Sequence, residues 1–198
     1  MSVRIEVYPH EFPTQQLAKI NRDLNLNLTG MREGRVYLID GVEQVQEVWC
    51  DEVLVAPLVE QAVLDSSASL FGQFALEIIY RPGVTDNEGH AAAYALKILE
   101  SKITRVCTGR VFLFEGDIPQ EKKVALAGEL SNELLHDTHF YTTAEFQNKD
   151  RFKNVKLPVV DLDQKIECLE IDFTQSLVKL QELNQKNLWA LSEDELLL

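Results

Sequence analysis

The side chains in this chain that could do chemistry are few and scattered. His136 and His139 flank Asp137 at a separation of three, a spacing that can supply two ligands to a metal ion. No third or fourth ligand stands near them, and they straddle an expected helix-to-strand turn, so no metal site is assigned. Cys50, Cys107 and Cys168 are odd in number, far apart, and form no CxxC or Cys/His ligand spacing. They read as reduced, mostly buried thiols, with a catalytic cysteine as the minority reading. His10 and His90 flank strand-helix turns and read as surface groups, since a general acid or base needs a partner within hydrogen-bond reach. Glu43, Glu47 and Glu52 read as a solvated helix face rather than a catalytic pair. Arg81 is the cation that stands out. At a strand end beside a turn, it is placed to meet a carboxylate of a partner or a substrate phosphate, although an ion pair with Asp86 or Glu88 is the simplest use. No glycine-rich ATP loop, nucleophile-His-Glu set or clustered acids with magnesium spacing is present, and no catalytic residue is assigned.

Composition narrows the class. The chain has 198 residues, 45% hydrophobic and 26% charged, enough for one good-sized domain or two small ones. Its formal charge of -13 argues against a general nucleic-acid binder, whose affinity rests on Lys and Arg neutralising phosphates. No apolar run approaches the roughly 18 residues that span a bilayer, and Met1 to Arg4 leads into a strand pattern. A cytoplasmic protein without nucleic-acid or membrane partners is the expectation.

The elements that must position these residues are organised around one turn, Tyr80 to Gly89. Before it, Phe74, Leu76, Ile78 and Tyr80 alternate as in a strand; after it, Ala91, Tyr94, Ala95 and Ile98 follow helical spacing and predict the buried face of a helix over 87–100. Pro82 and Gly83 reverse the chain, and either a Thr85/Glu88 capping box or an Asp86 N-cap starts the helix. Upstream, a strand is predicted over 4–8, with Ile5 and Val7 on one side and Glu6 on the other. A helix follows over 14–24, then a turn at Met31 to Gly34 and a strand over 35–40. Val42, Val45, Trp49 and Val53 predict a further helix, and 58–64 a strand. Asp65 to Ser69 is the linker candidate. Downstream, strands are expected at 103–108, ended by Gly109, and at 110–115. A helix then runs from Pro119 to about His136 with Leu126, Leu130 and Leu134 in line, and a closing strand covers 139–143.

Gly34-Arg35-Val36-Tyr37-Leu38 lies 75 residues before Gly109-Arg110-Val111-Phe112-Leu113, with identical or similar residues at all five places. The chain therefore reads as α+β, with two ferredoxin-like βαββαβ repeats over 1–66 and 70–146. In that arrangement both helices cover one face of each sheet, and the uncovered face is expected against the other copy's sheet, as a pseudo-dimeric sandwich. A single undivided sheet, or a closed pocket with converging ionisable groups, would end the reading of a twofold-repeated sandwich that contributes surface and not reactivity. Residues 147–198 read as a linker: polar at 148–155, extended through Leu157 to Asp163, helical from Phe173 to Leu183. Ser192 to Glu195 then opens a capping box before an exposed Leu196-Leu197-Leu198, which suggests a fragment or a chain completed by a partner.

Arg81-Pro82-Gly83-Val84-Thr85-Asp86-Asn87-Glu88-Gly89, the strand Gly109 to Leu113, and Ala144-Glu145-Phe146 together resemble the amino-terminal part of phosphoribosylformylglycinamidine synthases that begin with tandem S-subunit-like copies. The tail resembles the start of their linker region. The resemblance implies a non-catalytic module of de novo purine biosynthesis that docks the synthetase and glutaminase parts, covalently attached or separate. ATP and Mg would sit on the synthetase part, with no cofactor in this chain. Arg81, Thr85, Asp86, Asn87 and Gly89 are the candidate binding or docking residues. The rival expectation is a tandem regulatory module of the ACT type, which shares the element order and holds a small molecule between repeats.

Overall fold

A computed structural model describes residues 1–11, 14–64, 73–146, 148, 155–160, 171–172 and 174–196. It divides into two compact units, Met1–Val160 and Asp161–Leu198. The linker candidate at 65–69, Cys168 and Leu197-Leu198 lie outside the described residues.

The first unit runs β1 (Ser2–Pro9), α1 (Thr14–Leu24), β2 (Gly30–Asp40), α2 (Glu47–Trp49) continued by a π-helical turn at Cys50–Leu54, and β3 (Glu60–Val63). It goes on through β4 (Phe74–Tyr80), α3 (Asn87–Leu99), β5 (Arg105–Glu115), α4 (Gln120–Leu130), β6 (His136–Thr142) and α5 (Thr143–Phe146). The strands form one six-stranded sheet in the order β3-β1-β2-β5-β4-β6, with every neighbouring pair antiparallel. The protein is α+β.

Face-to-face packing of two sheets is thus overturned. The stretches before and after residue 70 join edge to edge instead, through an eleven-residue ladder between β2 and β5 in which Arg35 faces Arg110. Edge pairing satisfies backbone donors and acceptors that a sandwich would leave open at the two inner edges. The same ladder absorbs the turn expected at Met31 to Gly34, so β2 runs unbroken from Gly30. It also merges the two strands expected around Gly109 into one, so that among the described residues the order is βαβαβ before residue 70 and βαβαβ followed by the short α5 over 73–146, not βαββαβ. Gly109 interrupts nothing because a glycine is required there. A Cβ would lie 2.5 Å from the Ile78 carbonyl oxygen and collide with the Ile79 side chain.

Alternation along the strands sorts the core into two faces. On one face Val3, Ile5, Val7, Tyr37 and Ile39 pack with Trp49, Cys50 and Leu54, and also with Ala92, Leu96, Ile103 and Val106 from beyond residue 70. Beside this, Ile20, Leu26, Leu28 and Met31 pack with Leu76, Ile78, Phe112, Phe114 and Leu126. Each of these cores draws on both sides of residue 70. Buried apolar side chains of this size each contribute roughly 1.5–3 kcal/mol. The opposite face holds Tyr8, Val36, Leu38, Ala75, Val111, Leu113 and Phe146, with Val155 and Leu157 packed against it.

Three helical expectations change. Asp86 is the N-cap of α3, accepting from Gly89 N at 2.7 Å. Gly89 lies against that carboxylate, and its Cβ position is 2.7 Å from the Val106 carbonyl oxygen. This seating turns Gly89, Ala92 and Leu96 inward and leaves Tyr94 (76% exposed) and Ile98 (75%) on the surface, so the apolar stripe expected through Ala91, Tyr94, Ala95 and Ile98 is not the buried face. Helix α4 stops at Leu130, where Ser131 is extended; Leu134 is 76% exposed, and β6 begins already at His136. The helix expected over 42–53 is only the short α2 and its π-helical turn, although Val42 and Trp49 are buried as the spacing required.

In the second unit, α6 (Leu177–Asn187) ends at Leu188, whose φ is 56°, and the Asn184 side chain brackets Leu191, donating to its carbonyl and accepting from its N–H. The Ser192 backbone N–H and hydroxyl both donate to Glu195 Oε2, at 2.8 and 2.7 Å, which is the capping box opening α7 (Glu193–Leu196). Those bonds hold the Glu195 pKa below its usual range. Leu196 is buried, not exposed.

Candidate functional site

The turn between β4 and α3 divides its residues by role. Gly83 takes a φ of 87°, which a glycine adopts without strain. Asp86 is buried and fully committed: beyond the α3 cap it accepts from Thr108 N at 2.5 Å and from the Thr108 hydroxyl at 2.7 Å, pinning the turn to β5. Gly89 is packed beneath it, so neither residue is placed to reach a ligand. Arg81, Thr85 and Asn87 are exposed. Arg81 Nε donates to Asp137 Oδ1 of β6 at 3.0 Å, so its partner is across the sheet edge rather than Asp86 or Glu88. Glu88 instead accepts from the Tyr37 hydroxyl at 2.8 Å and stands 3.8 Å from Arg35.

His136 and His139 both lie on β6, three residues apart, which sends their side chains to opposite faces. His136 sits against the Tyr80 ring at 4.9 Å and His139 against Tyr141 at 4.3 Å. Among the described residues no group of three or more His, Cys, Asp or Glu could hold a metal. His10 and His90 are exposed, as are Glu43, Glu47 and Glu52. Cys50 is buried, and burial first, then Asp51 and Glu47, pushes its thiol pKa up to about 11; burial also raises that of Cys107.

At the sheet centre Arg35 and Arg110 face each other but reach apart. Arg35 donates to Glu60 at 2.7 Å and to the Leu54 carbonyl; Arg110 donates to the Leu130 carbonyl at 2.6 Å and lies 3.5 Å from Glu33.

The feature the sequence reading missed is a buried ionic cluster on the opposite sheet face. Arg4 is 2% exposed, Glu6 0% and Glu77 8%. Arg4 Nε donates to Glu6 Oε1 at 2.7 Å, Arg4 Nη2 donates to Glu77 Oε2, and the Tyr8 hydroxyl donates to Glu6 Oε2 at 2.9 Å. Burial alone would lower the Arg4 pKa, but the two carboxylates override it and hold the guanidinium charged. A cavity of about 500 Å³ adjoins the cluster, lined by Arg4, Glu77, Leu38, Ile79, Tyr141 and the segment 155–158 among others. The signal was present in outline. Arg4 and Glu6 share a strand face, and Glu77 interrupts an apolar run, but alternation assigns such residues to solvent unless a second layer covers that face.

No protein-family model matches the chain, and comparison with curated proteins gives no match. Among the described residues no helix is long and apolar enough to cross a membrane.

Proposed function

We propose that this chain is a non-catalytic assembly module built from two fused, ferredoxin-like S-type copies, which docks the synthetase and glutaminase parts of a phosphoribosylformylglycinamidine synthase. The observation that carries the reading is the register of the central ladder. Arg35 and Arg110 occupy the same place in the repeated Gly-Arg-Val motif, and they pair with each other, as two related copies do across a twofold axis. Other contacts recur on both sides of that pair. Tyr8 crosses Gly34 as Ile79 crosses Gly109. The backbone bond from His10 N to Val59 O has its counterpart from Arg81 N to Leu135 O, and the turns before β3 and β6 carry matching bonds to the Ala56 and Asn132 carbonyls.

A duplicated frame of this kind offers the same surface twice. Leu58 (95% exposed) with Val59, and Leu134 (76%) with Leu135, are apolar pairs at matching turns, where a soluble surface has no use for them unless a partner covers them. The undivided sheet removes the sandwich, and in this reading the two copies meet by edge pairing instead. The cavity beside Arg4 and Glu77 plays no part in this reading.

The test is capture and rescue. The chain should bind the separate synthetase and glutaminase parts in a pull-down and restore glutamine-dependent turnover, and Leu58→Asp with Leu134→Asp should weaken capture at least tenfold. Absence of binding to either part by the parent chain refutes the reading.

A further inference from the structure

The cavity on the sheet face opposite α1–α4 has a polar wall made of two buried, oppositely charged side chains. Arg4 is bonded through Nε and Nη2, and Glu77 through Oε2. Among the described residues no hydrogen bond is made by Arg4 Nη1 or Glu77 Oε1, and both side chains line the cavity. The wall therefore offers a guanidinium N–H edge beside an open carboxylate oxygen. Lys156, exposed on the covering segment, adds a second cation, and Leu38, Ile79 and Leu157 supply apolar lining. A volume of about 500 Å³ lies within the range of small-ligand sites.

Charge selects the occupant. A ligand with only negative charge meets Arg4 but is repelled by Glu77, and one with only positive charge meets the converse. A molecule carrying both charges on substituents of one carbon satisfies each with its complement, and charge-assisted bonds are the strong ones. We propose that this cavity binds a free α-amino acid with a large apolar side chain, its carboxylate on Arg4 Nη1 and Lys156, its ammonium on Glu77 Oε1, and its side chain over Leu38, Ile79 and Leu157. Arg4 and Leu38 come from one side of residue 70 and Glu77, Ile79 and Tyr141 from the other, so occupancy would brace the two halves against each other. The proposal is independent of the assembly reading, because binding is measured on this chain alone.

Isothermal titration calorimetry of the full chain with leucine and phenylalanine tests it, with leucinamide and N-acetylleucine as single-charge controls. The expected result is saturable binding of leucine or phenylalanine, at least tenfold weaker for both controls. Lys156→Glu should weaken binding about tenfold and Leu157→Trp, which fills the cavity from the covering segment, should abolish it. Neither residue belongs to the Arg4 cluster, and circular dichroism verifies that the fold is retained. No saturable heat from leucine or phenylalanine up to about 10 mM, equal affinity for the single-charge analogues, or unchanged binding by Leu157→Trp would each overturn the proposal.

Discussion

Replacing Arg4 by Met tests whether the buried cluster is a matched set or a tolerated flaw. The substitution keeps the volume roughly constant, so the change is electrical. It leaves Glu6 and Glu77, 0% and 8% exposed, without their shared cation. Breaking a buried ion pair by removing one partner costs about 3–5 kcal/mol, because a charge is left uncompensated in a poorly solvating interior. With a urea slope of about 2 kcal/mol per molar, the midpoint should fall by roughly 2 M. Urea unfolding followed by circular dichroism measures the loss. Adding Glu6→Gln and Glu77→Gln should return most of it, since neutral amides need no counter-charge. A loss below about 1 kcal/mol, or no recovery in the triple variant, would refute the reasoning, since it would mean that water reaches the carboxylates.

Other outcomes follow from the turn, the glycines and the thiols. Asp86→Ala removes the α3 cap and both Thr108 bonds, and should lower stability by about 2–4 kcal/mol in thermal or urea unfolding. Gly109→Ala drives a Cβ against the Ile78 carbonyl and should destabilise by about 1–3 kcal/mol. Gly128→Ala, in α4 with nothing within 4 Å of the new methyl, should stabilise by about 0.5–1 kcal/mol, and the opposite signs make the pair a direct check of the packing. With its thiol pKa near 11, Cys50 should alkylate far more slowly than a free cysteine at pH 8, and mass spectrometry after a timed iodoacetamide pulse will show it.

What could be seen in the sequence was local. The strand of Phe74 to Tyr80, the helix over Thr14–Leu24, the Asp86 alternative at the α3 start and the Ser192/Glu195 box all depend on neighbours within a few residues, and all stand in the structure. What failed depended on distant partners. Met31 to Gly34 has turn-like composition, yet pairing with Leu113, Phe114 and neighbouring β5 residues draws it into a strand. The face that α3 buries is chosen by how Asp86 docks on Thr108, which no periodicity encodes. Tyr94 and Ile98 are as apolar as a core position requires, and their exposure is decided by that rotation. The likeness of Gly34–Leu38 to Gly109–Leu113 was legible, and the ladder that pairs these two segments edge to edge was not.

The β2–β5 ladder joins residues 65 positions apart at Asp40–Arg105 and 85 apart at Gly30–Glu115, whereas β1 meets β2 across as few as 28 at Val7–Arg35. Closing the longer loop costs about 1 kcal/mol more in chain entropy, with little gained until β4 and β1 are in place to flank it. Both helix-side cores wait on that closure, since each needs residues from beyond it. On the ribosome, a nascent chain that has emerged only as far as β3 would hold Val3, Ile5 and Trp49 without Ala92, Leu96, Ile103 and Val106 to complete their core, so the final packing of this face comes only after β5 has been made.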